Sequence, residues 1–283
     1  MLKTIRPFTP NYIRAQTPDT ADGWAQRVAN RGGTFNATTL SALRALDHDL
    51  ALFGLKSKMI YLNMRCGADI TAAKCPMIAR VGPAYDRVAS GSFAAWAEAD
   101  GLTNSSSGVM STGVSCRHPR LLDPNSLAVG VYSLADQSSA SAYALGIYSN
   151  GQGWNGLILH TSGLHIFDIA AGRRVQTDNS LTGDGGSTKG LVVGSRWNSG
   201  SAAVFRNGVI RGTTAGSNGS FPVGASGAPP EDDFKVFGAS VTSGGEFISL
   251  GLTPDDVSNL TWIMHEFNAS LSTPRQVTAE GLS

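Results

Sequence analysis

From about residue 59 to residue 252 the chain sustains no convincing helical period. Glycine and serine break it into short runs rich in Val, Ile, Leu, Tyr and Phe. The runs are Leu127–Leu134, Ala142–Tyr148, Gly156–His160, Leu164–Ile169, Gly190–Arg196, Ala202–Arg206, Val209–Thr213, Phe234–Val241 and Glu246–Leu250. Short strands at near-regular spacing, with turn residues between them, predict an antiparallel sandwich or barrel. The strongest local signal is Val204-Phe205-Arg206-Asn207-Gly208-Val209-Ile210. Asn-Gly supplies the positive φ angles of a type I′ turn, so a two-residue hairpin is expected there. Trp197-Asn198-Ser199-Gly200 adds a turn just before it, and 190–213 reads as a three-strand meander. The stretch 215–232, rich in Gly, Ser and Pro, reads as a long surface loop.

The two ends differ from this body. Residues 1–20 are polar and carry Pro7, Pro10 and Pro18, which favours an extended arm. Trp24 and Val28 share one face of a short helix ended by Arg31-Gly32-Gly33. Leu40, Leu43, Leu46, Leu50 and Phe53 then recur every three or four residues, which is the helical period. This helical hairpin has one apolar face and must pack on the rest of the chain or on another protein. At the other end Thr253 is a good N-cap, Pro254 suits the first helical position, and Asp255 and Asp256 favour the positive end of the dipole. Val257, Leu260, Ile263, Met264, Phe267 and Leu271 form the stripe of that C-terminal helix. We divide the chain into an arm and helical docking module over 1–58 and a β-sandwich domain with its helix over 59–283.

Composition removes several classes. Charged residues make up 15% of the chain and the net charge is +1. A chain with no basic excess has little to neutralise phosphates, so no nucleic-acid partner is expected. The near-uncharged stretch 137–167 is too interrupted by Ser, Asn, Gln and Gly for membrane insertion as a helix. The N-terminus, Met1 to Pro7, lacks the apolar run of a signal peptide, so synthesis in the cytoplasm is expected. Cys66, Cys75 and Cys116 are an odd count at wide spacing; Cys66 and Cys75 could pair, but buried free thiols are expected.

Two portions resemble known families. The hairpin Val204–Ile210, the strand Phe234-Lys235-Val236-Phe237-Gly238 and Ser249-Leu250-Gly251-Leu252-Thr253-Pro254-Asp255-Asp256-Val257 leading into a helix follow one another in order. This order resembles concanavalin A-like domains of the laminin-G type. The resemblance implies a mainly β fold: a concanavalin A-like antiparallel β-sandwich (jelly roll). Trp24-Ala25-Gln26-Arg27-Val28-Ala29-Asn30-Arg31-Gly32-Gly33-Thr34, Thr39-Leu40 and Lys58-Met59-Ile60-Tyr61-Leu62-Asn63-Met64-Arg65-Cys66-Gly67 are similar to a group of tailed-phage virion proteins. That resemblance implies a component of a tail, baseplate, fibre or head decoration; residues 77–112 depart from the pattern.

No catalytic constellation emerges. The five glutamates are Glu98, Glu231, Glu246, Glu266 and Glu280, and none has an acidic residue two positions away inside an expected strand. Jelly-roll glycosidases need two carboxylates flanking the bond, so a glycan-degrading enzyme is disfavoured. Gly151-Gln152-Gly153-Trp154-Asn155-Gly156 has dinucleotide glycine spacing, but an apolar strand follows where that motif needs a helix. His160 and His165 could face each other across a turn without a third ligand. Asp178, Asn179 and Asp184 offer oxygens of the kind Ca²⁺ takes, but match no defined loop. No cofactor and no metal is expected.

Trp154-Asn155 and Trp197-Asn198 are the candidate glycan contacts, since an indole stacks on sugar C–H faces while an amide bonds hydroxyls. A Trp closing the rim of the core is the competing use. Trp24, Val28, Leu40, Leu43, Leu50 and Phe53 are the candidate docking residues. The expected function is a structural or attachment component of a phage-like particle, meeting other virion proteins, copies of itself and host-surface glycan. A free carbohydrate-binding lectin module is the alternative.

Overall fold

The computed structural model describes residues 18–80, 93–104, 109–115, 118–121, 123, 125–136, 142–148, 154–159, 165–168, 174–176, 189–215, 233–237 and 242–275. In chain order the elements are α1 (Ala21–Asn30), α2 (Ala37–Leu52), β1 (Met59–Asn63), α3 (Ile70–Ala73), β2 (Ile78–Ala79), β3 (Phe93–Ala97), β4 (Gly101–Asn104) and β5 (Val109–Ser115). There follow β6 (Leu127–Ser133), β7 (Ala142–Tyr148), β8 (Trp154–Leu159), β9 (His165–Asp168), β10 (Arg174–Gln176), β11 (Gly190–Asn198), β12 (Ser201–Arg206) and β13 (Val209–Ala215). The last are β14 (Asp233–Phe237), β15 (Thr242–Ser249) and α4 (Pro254–Ala269).

The strands make an antiparallel β-sandwich. A nine-stranded central sheet runs β13-β12-β11-β6-β15-β1-β2, with β4 pairing β15 and β3 pairing β4. A six-stranded outer sheet runs β10-β9-β8-β7-β14-β5. The expected meander is β11-β12-β13, and its turn holds Asn207 at φ 48° and Gly208 at φ 81°. Asn207 also ties the turn down: its Oδ1 accepts from the Leu191 N–H at 2.9 Å.

Alternation along the central strands sorts side chains between two cores. Leu127, Val129 and Val131 of β6, Val192, Val204 and Ile248 face the outer sheet, where they meet Leu145, Ile147, Leu157 and Phe234. Ala128, Tyr132, Leu191, Val193, Phe205 and Phe247 face the opposite way and meet the helices. Gly130 belongs to this second face because a Cβ there would lie 2.2 Å from the Phe247 ring.

The helices form the third layer. Thr20 caps α1, Asn36 caps α2, and a Thr253/Asp256 capping box starts α4 with Pro254 in its first turn. Trp24, Val28, Leu43, Leu46, Leu50, Leu260, Ile263 and Phe267 join the core on the helix side of the central sheet. Residues on both sides of position 58 share that one core, so the helical hairpin and the sandwich are packed together.

This packing corrects the docking assignment. Trp24, Val28, Leu43 and Leu50 are at most 1% exposed, and Leu40 packs half-buried against the same core. Their apolar face is covered by the chain's own sheet and α4. Of the six candidates only Phe53 remains open, at 40% exposure.

Candidate functional site

Helix α1 is fastened to the chain that follows β1. Trp24 Nε1 donates to the Cys75 carbonyl at 3.0 Å. Arg27 donates to the carbonyls of Pro18, Pro76 and Met77 at 3.0, 3.0 and 2.6 Å. Gly67 sits at φ 120°, and a Cβ there would lie 2.3 Å from that of Ala72. These residues fasten α1 to the irregular chain between β1 and β2, which is a structural role. Cys66 and Cys75 are buried and not disulfide-bonded, and burial pushes the Cys66 thiol well above its ordinary range.

Inside the sandwich lies a charged group that sequence reasoning does not find. Arg65 and Glu246 are fully buried and form a bidentate ion pair, with Arg65 Nε 2.9 Å from Glu246 Oε2. The Tyr61 hydroxyl donates to Glu246 Oε1 at 3.2 Å and Ser243 Oγ to Oε2 at 3.1 Å. Burial and the Glu246 charge hold the Tyr61 phenol far above its usual range. The register puts Asn63 opposite Glu246, while Asn63 Oδ1 holds the positive-φ Arg65 through its N–H at 2.9 Å. The group is sealed from solvent and ties β1 to β15, while Arg65 Nη2 reaches Met110 Sδ of β5 in the outer sheet at 3.2 Å. No local signal marks it, because its charged members are 181 residues apart.

Glu98 is likewise a fastener. It accepts from the Thr39 hydroxyl at 2.7 Å, from the Gly67 N–H at 3.0 Å and from the Ser272 hydroxyl. Neither Glu98 nor Glu246 is therefore placed as an open acid or base.

The two Trp-Asn pairs do not share a sheet. Trp154 and Asn155 begin β8 in the outer sheet, opposite Tyr148 and Ile147 of β7; their side chains lie outside the described residues. Trp197 and Asn198 end β11 in the central sheet. The Trp197 ring is half-buried on the helix-side core, 6.2 Å from the Phe205 ring. Asn198 is exposed, and its Oδ1 accepts from the Gly200 N–H at 2.8 Å within the turn. His160, Asp178, Asn179, Asp184 and Cys116 lie outside the described residues. Among the described residues no group of three or more His, Cys, Asp or Glu side chains is placed to hold a metal ion.

Some apolar surface stays open, and part of it lies on the helical side. Among the described residues the exposed large hydrophobics are Leu52, Phe53, Val209, Ile210 and Trp262. Phe53, just past α2, meets Trp262 of α4 edge-on at 6.1 Å. The Asn207-Gly208 turn rests on the same helix: a Cβ on Gly208 would lie 3.5 Å from atoms of Ser258 and Thr261. Ile210, opposite Phe205, shares the helix-side face of the sheet, whereas Val209, opposite Arg206, is on the other face. Sequence periodicity identifies the apolar faces of α2 and α4 but misses this patch, because Leu52 and Trp262 fall off both stripes.

No family model matches the sequence, and no curated protein matches it. Among solved structures, a Trypanosoma rangeli sialidase in complex with 2,3-difluorosialic acid is 12% identical, with a TM-score of 0.44 over 74% of this chain and 33% of that one. Domain 4 of AbnA, an extracellular arabinanase from Geobacillus stearothermophilus, in complex with arabinotriose, is 13% identical, with a TM-score of 0.37 over 72% of this chain and 98% of that one. The binding domain of botulinum neurotoxin DC in complex with SialylT is 9% identical, with a TM-score of 0.35 over 59% and 40% of the two chains. This chain thus spans about a third of the sialidase's length.

Proposed function

We propose that the chain is a structural or attachment component of a phage-like particle, docked through its helical layer and presenting the outer sheet of its β-sandwich away from the dock. The observation that carries the docking side is the pair of exposed aromatic rings, Phe53 and Trp262, in contact on the helical layer. Exposed apolar surface of this kind suits a protein-interaction site, and Trp is enriched at interface hot spots. The particle context rests on the resemblance of Trp24–Thr34 and Lys58–Gly67 to tailed-phage virion proteins. The partners are other virion proteins and copies of this chain.

The test is incorporation. Phe53→Ser with Trp262→Ser should leave the melting temperature within a few degrees, because both side chains are already about two-fifths exposed. It should reduce the amount of the chain in purified particles several-fold. A chain absent from particles sinks the reading, as does undiminished incorporation of the double variant.

A lectin module is the second reading, favoured by an exposed Asn198 beside a half-buried Trp197 at one edge of the sandwich. Micromolar binding on a glycan array, lost in Trp154→Ala or Trp197→Ala, would establish it; no binding at millimolar sugar would remove it.

A further inference from the structure

Close to Phe53 the chain makes the turn Gly54–Lys58 between α2 and β1, and two guanidinium groups converge on it. Arg80, just past β2, donates through Nη2 to the Lys56 carbonyl at 3.1 Å and through Nη1 to the Ser57 carbonyl at 3.4 Å. Arg120, from the short turn Pro119–Leu121, donates through Nη2 to that same Ser57 carbonyl and through Nη1 toward the Met59 carbonyl at 3.5 Å. His118 sits behind them. Its Nδ1 accepts from the Arg120 N–H at 3.3 Å, so the ring proton is on Nε2, which faces the Arg80 carbonyl.

The charges here do not balance. Lys56 pairs with Asp47 at 2.5 Å, Lys58 with Asp256 at 2.6 Å and Arg80 with Asp19 at 3.6 Å. Arg120 forms no ion pair with a described carboxylate, although it stands against Arg80. Two like charges are thus held together, with a carbonyl rather than an anion between them. A guanidinium has five N–H donors in a planar fork, and the protein uses two of those on the Arg120 side chain. Ser57 and Pro119 are exposed, and Arg80 and Arg120 are partly exposed.

We infer that Arg80 and Arg120 form an oxyanion-binding site whose ligand is a side-chain carboxylate of the docked protein partner. The location selects this source. Ser57 Oγ donates to the Gly54 carbonyl at 2.8 Å, one residue from Phe53, so the arginines border the apolar patch. Trp and Arg are both enriched among interface hot spots. A partner that meets this face supplies an apolar contact to Phe53 and Trp262 and an acidic residue to Arg120. The assignment of the partner rests on the docking reading above; the anion site itself does not.

Two experiments separate them. The first titrates the free chain with sodium sulfate at constant ionic strength, following the Arg Nε and His118 ring signals by NMR. Saturable shifts are expected, weakened at least tenfold in Arg120→Gln and partly retained in Arg120→Lys, which keeps charge without the fork. Arg44→Gln, which disrupts the ion pair with Asp22 on α1, should bind as the parent chain does. Absence of saturable shifts, or unchanged binding in Arg120→Gln, overturns the site. The second measures incorporation: Arg120→Gln should lower the particle-bound fraction several-fold, while Arg44→Gln should not. A sulfated disaccharide that binds tenfold tighter than inorganic sulfate would overturn the protein partner in favour of an acidic glycan. Failure of every variant and of the parent chain to enter particles would sink the docking reading and leave the sulfate titration standing.

Discussion

The middle of the central sheet and its margins bury cations in different ways. On the helix side, Arg27 and Arg275 are held largely by backbone carbonyls. Arg275 donates to the carbonyls of Glu98, Met64, Arg65 and Gly244, and to Asn268 Oδ1 at 3.0 Å. On the sandwich side, Arg65 faces the carboxylate of Glu246. The difference follows from where free acceptors exist. A regular ladder uses up its own carbonyls, so a cation within it needs a side-chain acceptor, whereas Arg196 and Arg206 reach the spare carbonyls of Asn198, Ser199 and Lys189 at strand ends. Beside the helices the chain leaves the ladder. Met64 and Arg65 follow β1, and Gly244 lies where the β15–β6 register slips between Ser243 and Gly245. Carbonyls are spare there, and arginine collects them.

The comparison is most exposed at Glu246. Glu246→Leu leaves the Arg65 charge buried with the Ala73 carbonyl as its remaining oxygen acceptor. The expected loss is about 3–5 kcal/mol, read as a fall in the urea midpoint. Adding Arg65→Met should return most of that loss, because an apolar pair of similar volume replaces the ion pair. If the single variant loses less than about 1 kcal/mol, the sandwich does not depend on the pairing.

Arg275 should lose less. Burial presses its guanidinium down to about 10, below the unfolded value of 12.5. For a base with a lowered pKa the charged form is a net burden at every pH below the folded value. Arg275→Met removes that burden together with the donors. It leaves the carbonyls of Met64, Arg65 and Gly244 without this partner, for an expected loss of about 1–2 kcal/mol. A loss as large as that of Glu246→Leu would mean that carbonyls and carboxylates hold buried arginines alike.

These same contacts explain what was legible in the sequence. The meander, the hairpin at Asn207-Gly208 and the capped helix at Thr253 could be read because turn and capping chemistry is local. The strands Ala142–Tyr148, Leu127–Leu134 and Gly190–Arg196 stood out as apolar runs, and they lie at the expected places. Phe93–Ala97, Gly101–Asn104 and Val109–Ser115 did not read as strands. Ala, Gly and Ser give them little β signal, and their pairing with each other, β15 and β14 is tertiary. Periodicity found the apolar faces of α1 and α2, but periodicity does not say what covers a face. Arg65, Glu246 and Arg275 had no signature at all, since each acts on residues far away in the chain. The Trp197 ring illustrates the same limit: its turn was legible, its contact with Phe205 was not.

The smallest effect is expected at the seam between the helical layer and the central sheet, at Asp256. Its carboxylate accepts from the Thr253 N–H at 2.8 Å, closing the capping box of α4, and from Lys58 Nζ at 2.6 Å. Burial pushes its pKa up, but the Lys58 and Thr253 hydrogen bonds outweigh that and hold it below the ordinary 3.8. An acid with a lowered folded pKa contributes stability that is fully present above the unfolded value of 3.8 and is lost as the pH falls through the folded value. Asp256→Asn should therefore lower stability by about 1 kcal/mol at neutral pH, the usual worth of a cap contact. It should also flatten the acid limb of the stability profile below about pH 4. Lys58 follows Ser57, whose carbonyl Arg120 holds, so the same variant leaves a cation unpaired one residue along the chain from that turn. Sulfate should then bind somewhat more tightly than to the parent chain, linking the seam of the fold to the face proposed for docking.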